Sequence, residues 1–139
     1  MKKHIIMAVC LLLTLGADAQ QSSLKSKIEK LIRKRSPEAK VYINSASDFL
    51  EIDLSPNAPE SDCQIPYMQV TFTYKYNDND PENQFKHCVS ICCIENEDPN
   101  NCIKCGNKNN SGLWAGFRTK QDAYDFIDLM SQLKKQSPN

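Results

Sequence analysis

Met68-Gln69-Val70-Thr71-Phe72-Thr73-Tyr74-Lys75-Tyr76 is the stretch that decides the fold. Met68, Val70, Phe72, Tyr74 and Tyr76 recur at every second position, with Gln69, Thr71, Thr73 and Lys75 between them. Successive side chains on a strand point to opposite faces, so the pattern predicts a long strand with one apolar and one polar face. Such alternation is the mark of a half-covered antiparallel sheet. Upstream, Val41 and Ile43, and then Leu50, Ile52 and Leu54, alternate in the same way with polar neighbours. Downstream, the polar turn Asn77-Asp78-Asn79-Asp80-Pro81 leads to a strand over Gln84 to Glu95. Asp98-Pro99-Asn100 then folds the chain back into a short strand around Asn101 to Cys105. A last strand runs from Leu113 to Arg118, with Leu113, Ala115 and Phe117 on one side. Ser55 to Pro66 and Gly106 to Gly112 read as loops.

The period changes from 2 to 3.6 at both ends of this strand region. Leu24, Ile28, Leu31 and Ile32 share one face of a helix for which Ser22 or Ser23 is a suitable N-cap. Glu29 is placed to pair with Arg33, and Arg35-Ser36-Pro37 ends the helix, because proline pushes the preceding residue out of helical geometry. At the other end Thr119 caps, with Asp122 three residues on. Ala123, Phe126, Ile127, Met130 and Leu133 then repeat at helical spacing. Lys134 and Lys135 in the last turn suit the helix dipole. The expected class is therefore α+β: an antiparallel sheet of about six strands, as a meander or partly rolled barrel, flanked by an N-terminal and a C-terminal amphipathic helix. A meander ending in Leu113-Trp114-Ala115-Gly116-Phe117-Arg118-Thr119 and a closing helix resembles a pleckstrin-homology-like barrel. The resemblance lies in element order over roughly the last 90 residues; it implies a fold and no ligand.

The N-terminus reads as an address. Met1-Lys2-Lys3-His4 is basic, Ile5 to Leu15 is apolar, and Ala17-Asp18-Ala19 is a small-residue exit. Those three parts make a secretory signal peptide over residues 1–19, and the apolar run is shorter than the about 20 residues a membrane span needs. A short, lysine-led leader suits a bacterial protein bound for the periplasm or outside. Residues 20–139 form the expected single domain, with no transmembrane segment.

The whole chain of 139 residues has 17 basic and 17 acidic residues. Removing Lys2, Lys3 and Asp18 leaves 15 against 16, but the signs are segregated. Lys25 to Lys40 carries seven positive and two negative charges, whereas Val41 to Cys105 carries three against eleven. The near-zero balance argues against coating nucleic acid, which needs a basic excess. A basic first helix is a candidate contact for an anionic partner or lipid headgroups; the simpler expectation is a solvated back packed by its apolar face onto an acidic sheet.

Seven cysteines are the outlier, and Cys10 belongs to the leader. The six that remain (Cys63, Cys88, Cys92, Cys93, Cys102 and Cys105) point, in an exported chain, to disulfides. If the strands around Asp98-Pro99 fold back on each other, Cys92 meets Cys105, Cys93 lies diagonal to Cys102, and Cys88 is left to reach Cys63. Two other chemistries compete. Cys88, Cys92, Cys102 and Cys105 could offer four thiolates to zinc, although only Cys102-Ile103-Lys104-Cys105 has knuckle spacing. The same four-residue motif could be a redox pair, although the turn-forming residues after it offer no helix N-terminus to lower a thiol pKa.

No Gly-x-Ser-x-Gly, phosphate loop or His-Glu-x-x-His motif occurs, and His87 is the one histidine left after the leader. The sequence names no catalytic residue, cofactor or metal. Trp114, Tyr67 and Tyr76 are the aromatic candidates for an interface. The leading expectation is a small exported binding domain whose partner is another protein, in the manner of a protease inhibitor or a toxin-neutralising immunity protein. The second is a thiol–disulfide redox factor or zinc protein using Cys102 and Cys105.

Overall fold

The computed structural model describes residues 19–55, 57, 62–94 and 101–137. All but the last residue of the expected leader, and the turn at Asp98-Pro99-Asn100, lie outside them. Residues 19–33 are helical (α1). Eight strands follow: β1 (Lys40–Asn44), β2 (Phe49–Asp53), β3 (Cys63–Pro66), β4 (Val70–Tyr76), β5 (His87–Cys93), β6 (Ile103–Cys105), β7 (Lys108–Asn110) and β8 (Gly112–Phe117). Helix α2 (Lys120–Gln136) closes the chain. The class is α+β with antiparallel sheets. Among the described residues no helix is long and apolar enough to cross a membrane.

The strands form two sheets rather than one of about six strands. The larger has the order β1-β2-β3-β6-β7 and the smaller β4-β5-β8. The two added strands fall where loops were expected. β3 has four residues and β7 three, too few to display an alternating pattern, and each depends on a neighbour for its pairing. β7 exists because Gly106 takes φ 56° in the two-residue connection Gly106-Asn107, which returns Lys108 opposite Cys105. A Gly-Asn pair between strands is a hairpin cue that the sequence carried.

The division also corrects the expected hairpin of β5 and β6. β6 pairs with β3, with Cys63 opposite Cys105, while β5 sits between β4 and β8. The decisive stretch behaves as its alternation requires. Val70, Phe72, Tyr74 and Tyr76 share the face that α2 covers. Val70 is buried, Phe72 meets Phe126 edge to face at 6.1 Å, and Tyr74 stacks on Tyr124 at 5.0 Å.

α2 starts as its sequence predicts: the Thr119 side chain accepts a hydrogen bond from the Asp122 amide at 3.0 Å. It buries Ala123, Phe126, Leu129, Met130 and Leu133. α1 is already helical at Ala19, so Ser22 and Ser23 lie within it rather than capping it. Ala and Gln are better helix formers than Ser, which favours carrying the helix back through Ala19-Gln20-Gln21. Its Leu24, Ile28 and Leu31 join Val41, Leu50, Ile65 and Ile103 in one continuous core with the α2 residues. Each such aliphatic side chain contributes about 1.5–3 kcal/mol on burial.

α1 lies beside α2, and this is where its charge goes. Lys27, Lys30 and Lys34 line one wall of a groove between the helices, and Asp125 and Asp128 line the other. Lys34 pairs with Asp122 at 2.6 Å, and Glu29 with Arg33 at 3.0 Å. The counterpart of the basic helix is thus the acidic side of α2, where an acidic sheet was expected.

Candidate functional site

Four of the six cysteines form two disulfides, Cys63–Cys105 and Cys93–Cys102. The first ties β3 to β6 within the larger sheet. The second joins the end of β5 to the residue before β6 and so crosses from the smaller sheet to the larger. The expected partner of Cys63 was Cys88, and that of Cys105 was Cys92. Both assignments fail because β6 hydrogen-bonds to β3 and not to β5. Cys88 and Cys92 are free thiols, the former buried and the latter exposed. Burial pushes the Cys88 thiol pKa up, against the opposing pull of the Arg35 charge, so this thiol is held protonated. Among the described residues no three His, Cys, Asp or Glu side chains converge as a metal-binding group would require.

The three aromatic interface candidates are dispersed. Tyr67 is 1% exposed and belongs to the core; this corrects its reading as a contact residue. Its hydroxyl donates to Asp48 Oδ1 at 3.1 Å and its amide to the Asp48 carbonyl at 3.1 Å, fastening the turn in which Asp48 takes φ 55°. Burial, then the Asp48 hydrogen bond and charge, push its pKa up to about 12. Tyr76 is 55% exposed at the end of β4, where its ring lies 5.2 Å from His87. His87 Nδ1 is hydrogen-bonded to the Tyr74 hydroxyl at 2.9 Å. Trp114 is 56% exposed. It lies opposite Ser90, which lies opposite Thr73, so it stands on the face of the smaller sheet away from α2 and Tyr76.

Trp114 borders a cavity of about 320 Å³. One wall is the end of α1 (Leu31, Ile32, Arg35), a second is the larger sheet (Ile52, Leu54, Ile65), and a third is β8. All five residues from Leu113 to Phe117 border it. Side chains on a strand alternate between faces, so five consecutive lining residues mean that the cavity runs along the edge of the strand.

Among the described lining residues Arg35 is the one charged side chain. Its guanidinium is centred 5.0 Å from the Phe85 ring, which Arg118 also approaches at 5.4 Å. Gly116 makes this approach feasible: a Cβ there would stand 3.0 Å from Phe85 Cβ and 3.1 Å from Arg35 Nη1. Sequence reasoning picked out Trp114 but missed Arg35 as its neighbour, since nothing local to Arg35-Ser36-Pro37 reveals a strand from the far end of the chain. The cleft offers apolar walls, one fixed cation and an indole at the rim, which suits binding. No known protein family matches the chain, and neither a curated protein nor a solved structure matches it.

Proposed function

We propose that the chain is a small exported bacterial binding domain, braced by disulfides, whose partner is another protein and whose contact surface is the cleft rimmed by Trp114. The observation that carries this reading is the half-exposed indole beside an apolar cleft of about 320 Å³. Tryptophan is among the residue types enriched where a few side chains carry most of the energy of a protein interface. The reading takes residues 1–19 as the leader and periplasm or exterior as the destination, in keeping with the two disulfides. Protease inhibition and neutralisation of an exported toxin are the roles of this kind that suit so small a domain. The likeness to a pleckstrin-homology-like barrel stands as a proposal on the order of β8 and α2 and lends no lipid ligand. Redox exchange between Cys102 and Cys105 is less well supported, because each is bonded to a different cysteine.

Affinity capture from secreted and periplasmic extract of the source cell, with oxidised wild type beside Trp114→Ala and Tyr76→Ala, tests the reading. A protein held by wild type and by Tyr76→Ala but lost with Trp114→Ala agrees with it. Equal recovery on all three, or nothing recovered above a blank resin, removes it.

A further inference from the structure

We infer that the cleft binds an extended peptide segment of the partner as an added strand on β8, with an acidic group of that segment against Arg35. This deepens the cleft reading above and rests on it. Among the described residues only β5 pairs with β8, which makes β8 an edge of its sheet. The Cys93 amide donates to the Ser111 carbonyl at 2.8 Å, which fixes the phase of that ladder. In an antiparallel pair, alternate residues exchange both bonds, so Leu113, Ala115 and Phe117 turn their N–H and C=O groups toward β5. Gly112, Trp114 and Gly116 therefore turn theirs outward, and Trp114 and Gly116 border the cleft. Among the described residues no hydrogen bond is made by the backbone of these three positions. They span roughly 14 Å, the length of a five-residue strand.

The other sheet edges are treated differently. Lys134 Nζ donates to the outward carbonyl of Val70 on β4 at 2.6 Å, and Glu29 Oε2 accepts from the Val41 amide on β1 at 3.0 Å. β7 is only three residues long. Proteins commonly guard edges with charged side chains or keep them short, because an open edge recruits another strand. β8 has six residues, and among the described residues no side chain is hydrogen-bonded to its outward backbone groups.

The occupant follows from what the cleft offers. A row of alternating backbone donors and acceptors is complemented by a second backbone, the binding mode in which main-chain bonds give affinity and side-chain pockets give specificity. Ile52 and Leu54 opposite the edge provide the apolar seat. Arg35 forms no ion pair among the described residues, so a carboxylate near Gly116 meets an uncompensated cation.

A displayed library of random linear peptides, selected against the oxidised full-length mature protein, provides the probe. Affinities of the enriched peptides are read from the anisotropy of a fluorophore attached to the peptide, which serves every variant alike. N-methylation of alternate peptide amides is expected to weaken binding at least tenfold, and methylation of the amides between them less than about twofold. Amide exchange at Gly112, Trp114 and Gly116 slows in the complex, and Arg35→Gln weakens peptides bearing a carboxylate at least fivefold. Trp114→Pro, which removes an outward N–H and no bond to β5, abolishes binding, whereas Trp114→Phe retains it. The inference falls if no peptide is enriched, if methylation has no parity, or if protection appears elsewhere, as at Tyr76 and Tyr124. It also falls if the free protein dimerises with protection of the same three amides, which would make a second copy the occupant. A partner captured through Trp114 while the methylation series shows no parity leaves the binding domain standing and removes strand addition alone.

Discussion

The two disulfides close loops of unequal length, and their removal should separate them by a calculable amount. Cys63 and Cys105 are 42 positions apart, Cys93 and Cys102 only 9. A cross-link stabilises chiefly by denying the unfolded chain the conformations in which its ends are apart, and the loss grows with the logarithm of loop length. That relation gives about 4.0 kcal/mol for the longer loop and about 2.7 kcal/mol for the shorter. The short loop is nested in the long one, which lowers each bond's contribution in the presence of the other equally; each double variant keeps one bond alone, so this coupling does not enter their difference. The expected gap between Cys63→Ala/Cys105→Ala and Cys93→Ala/Cys102→Ala is therefore about 1.3 kcal/mol. Urea unfolding of the two double variants, followed by the far-ultraviolet circular dichroism signal, measures it as a difference in midpoint at equal slope. Cys93→Ala/Cys102→Ala proving as costly as the other variant, or more so, would refute the reasoning. The bond between the sheets would then act by organising the folded molecule and not by restricting the unfolded one.

Tyr67 makes stability sensitive to alkaline pH. Its folded pKa of about 12 lies above the ordinary 10.0, so the folded chain keeps a proton that the unfolded chain gives up, and stability falls as pH rises from about 10 to 12. The last step in a tyrosinate absorbance titration should be missing in Tyr67→Phe; a step that persists contradicts the assignment. Thr119→Ala removes the cap on the Asp122 amide and should cost about 1 kcal/mol in chemical denaturation, with Thr119→Ser nearly neutral. Gly116→Ala forces a methyl against Phe85 and Arg35 and should cost about 1–3 kcal/mol while displacing the arginine. An unchanged unfolding midpoint would mean that Phe85 moves aside freely.

Both helices were legible because a 3.6-residue repeat over several turns is hard to produce by accident, and in α2 the Thr119 cap states where it begins. β4 was legible for the matching reason at period 2. β3 and β7 were not, since four and three residues display no period and their stability comes from strands distant in sequence. That omission propagated. With Cys63 assigned to a loop, its pairing with Cys105 could not be seen, whereas Cys93 and Cys102, nine positions apart, were within reach of local geometry. Tyr67 was misplaced because alternation cannot tell a buried tyrosine with a hydrogen-bond partner from an exposed one. The cleft was legible only in Trp114: its other walls come from the end of α1 and from the larger sheet, a juxtaposition that exists only once both sheets are assembled.

The row of lysines on α1 set against the aspartates of α2 has a consequence for how a partner arrives. α2 carries three basic and three acidic residues, so it leaves the excess on α1 (Lys25, Lys27, Lys30 and Arg33 against Glu29) uncancelled, and the pair of helices keeps three net positive charges, felt within about 10 Å of the surface. That excess should steer an acidic partner, lifting its association rate above the ordinary value of about 10⁵–10⁷ M⁻¹s⁻¹ at low ionic strength and letting it fall back as salt is added. Once the proposed complex has formed, how long the partner stays is decided by the short-range fit around Trp114 and Arg35.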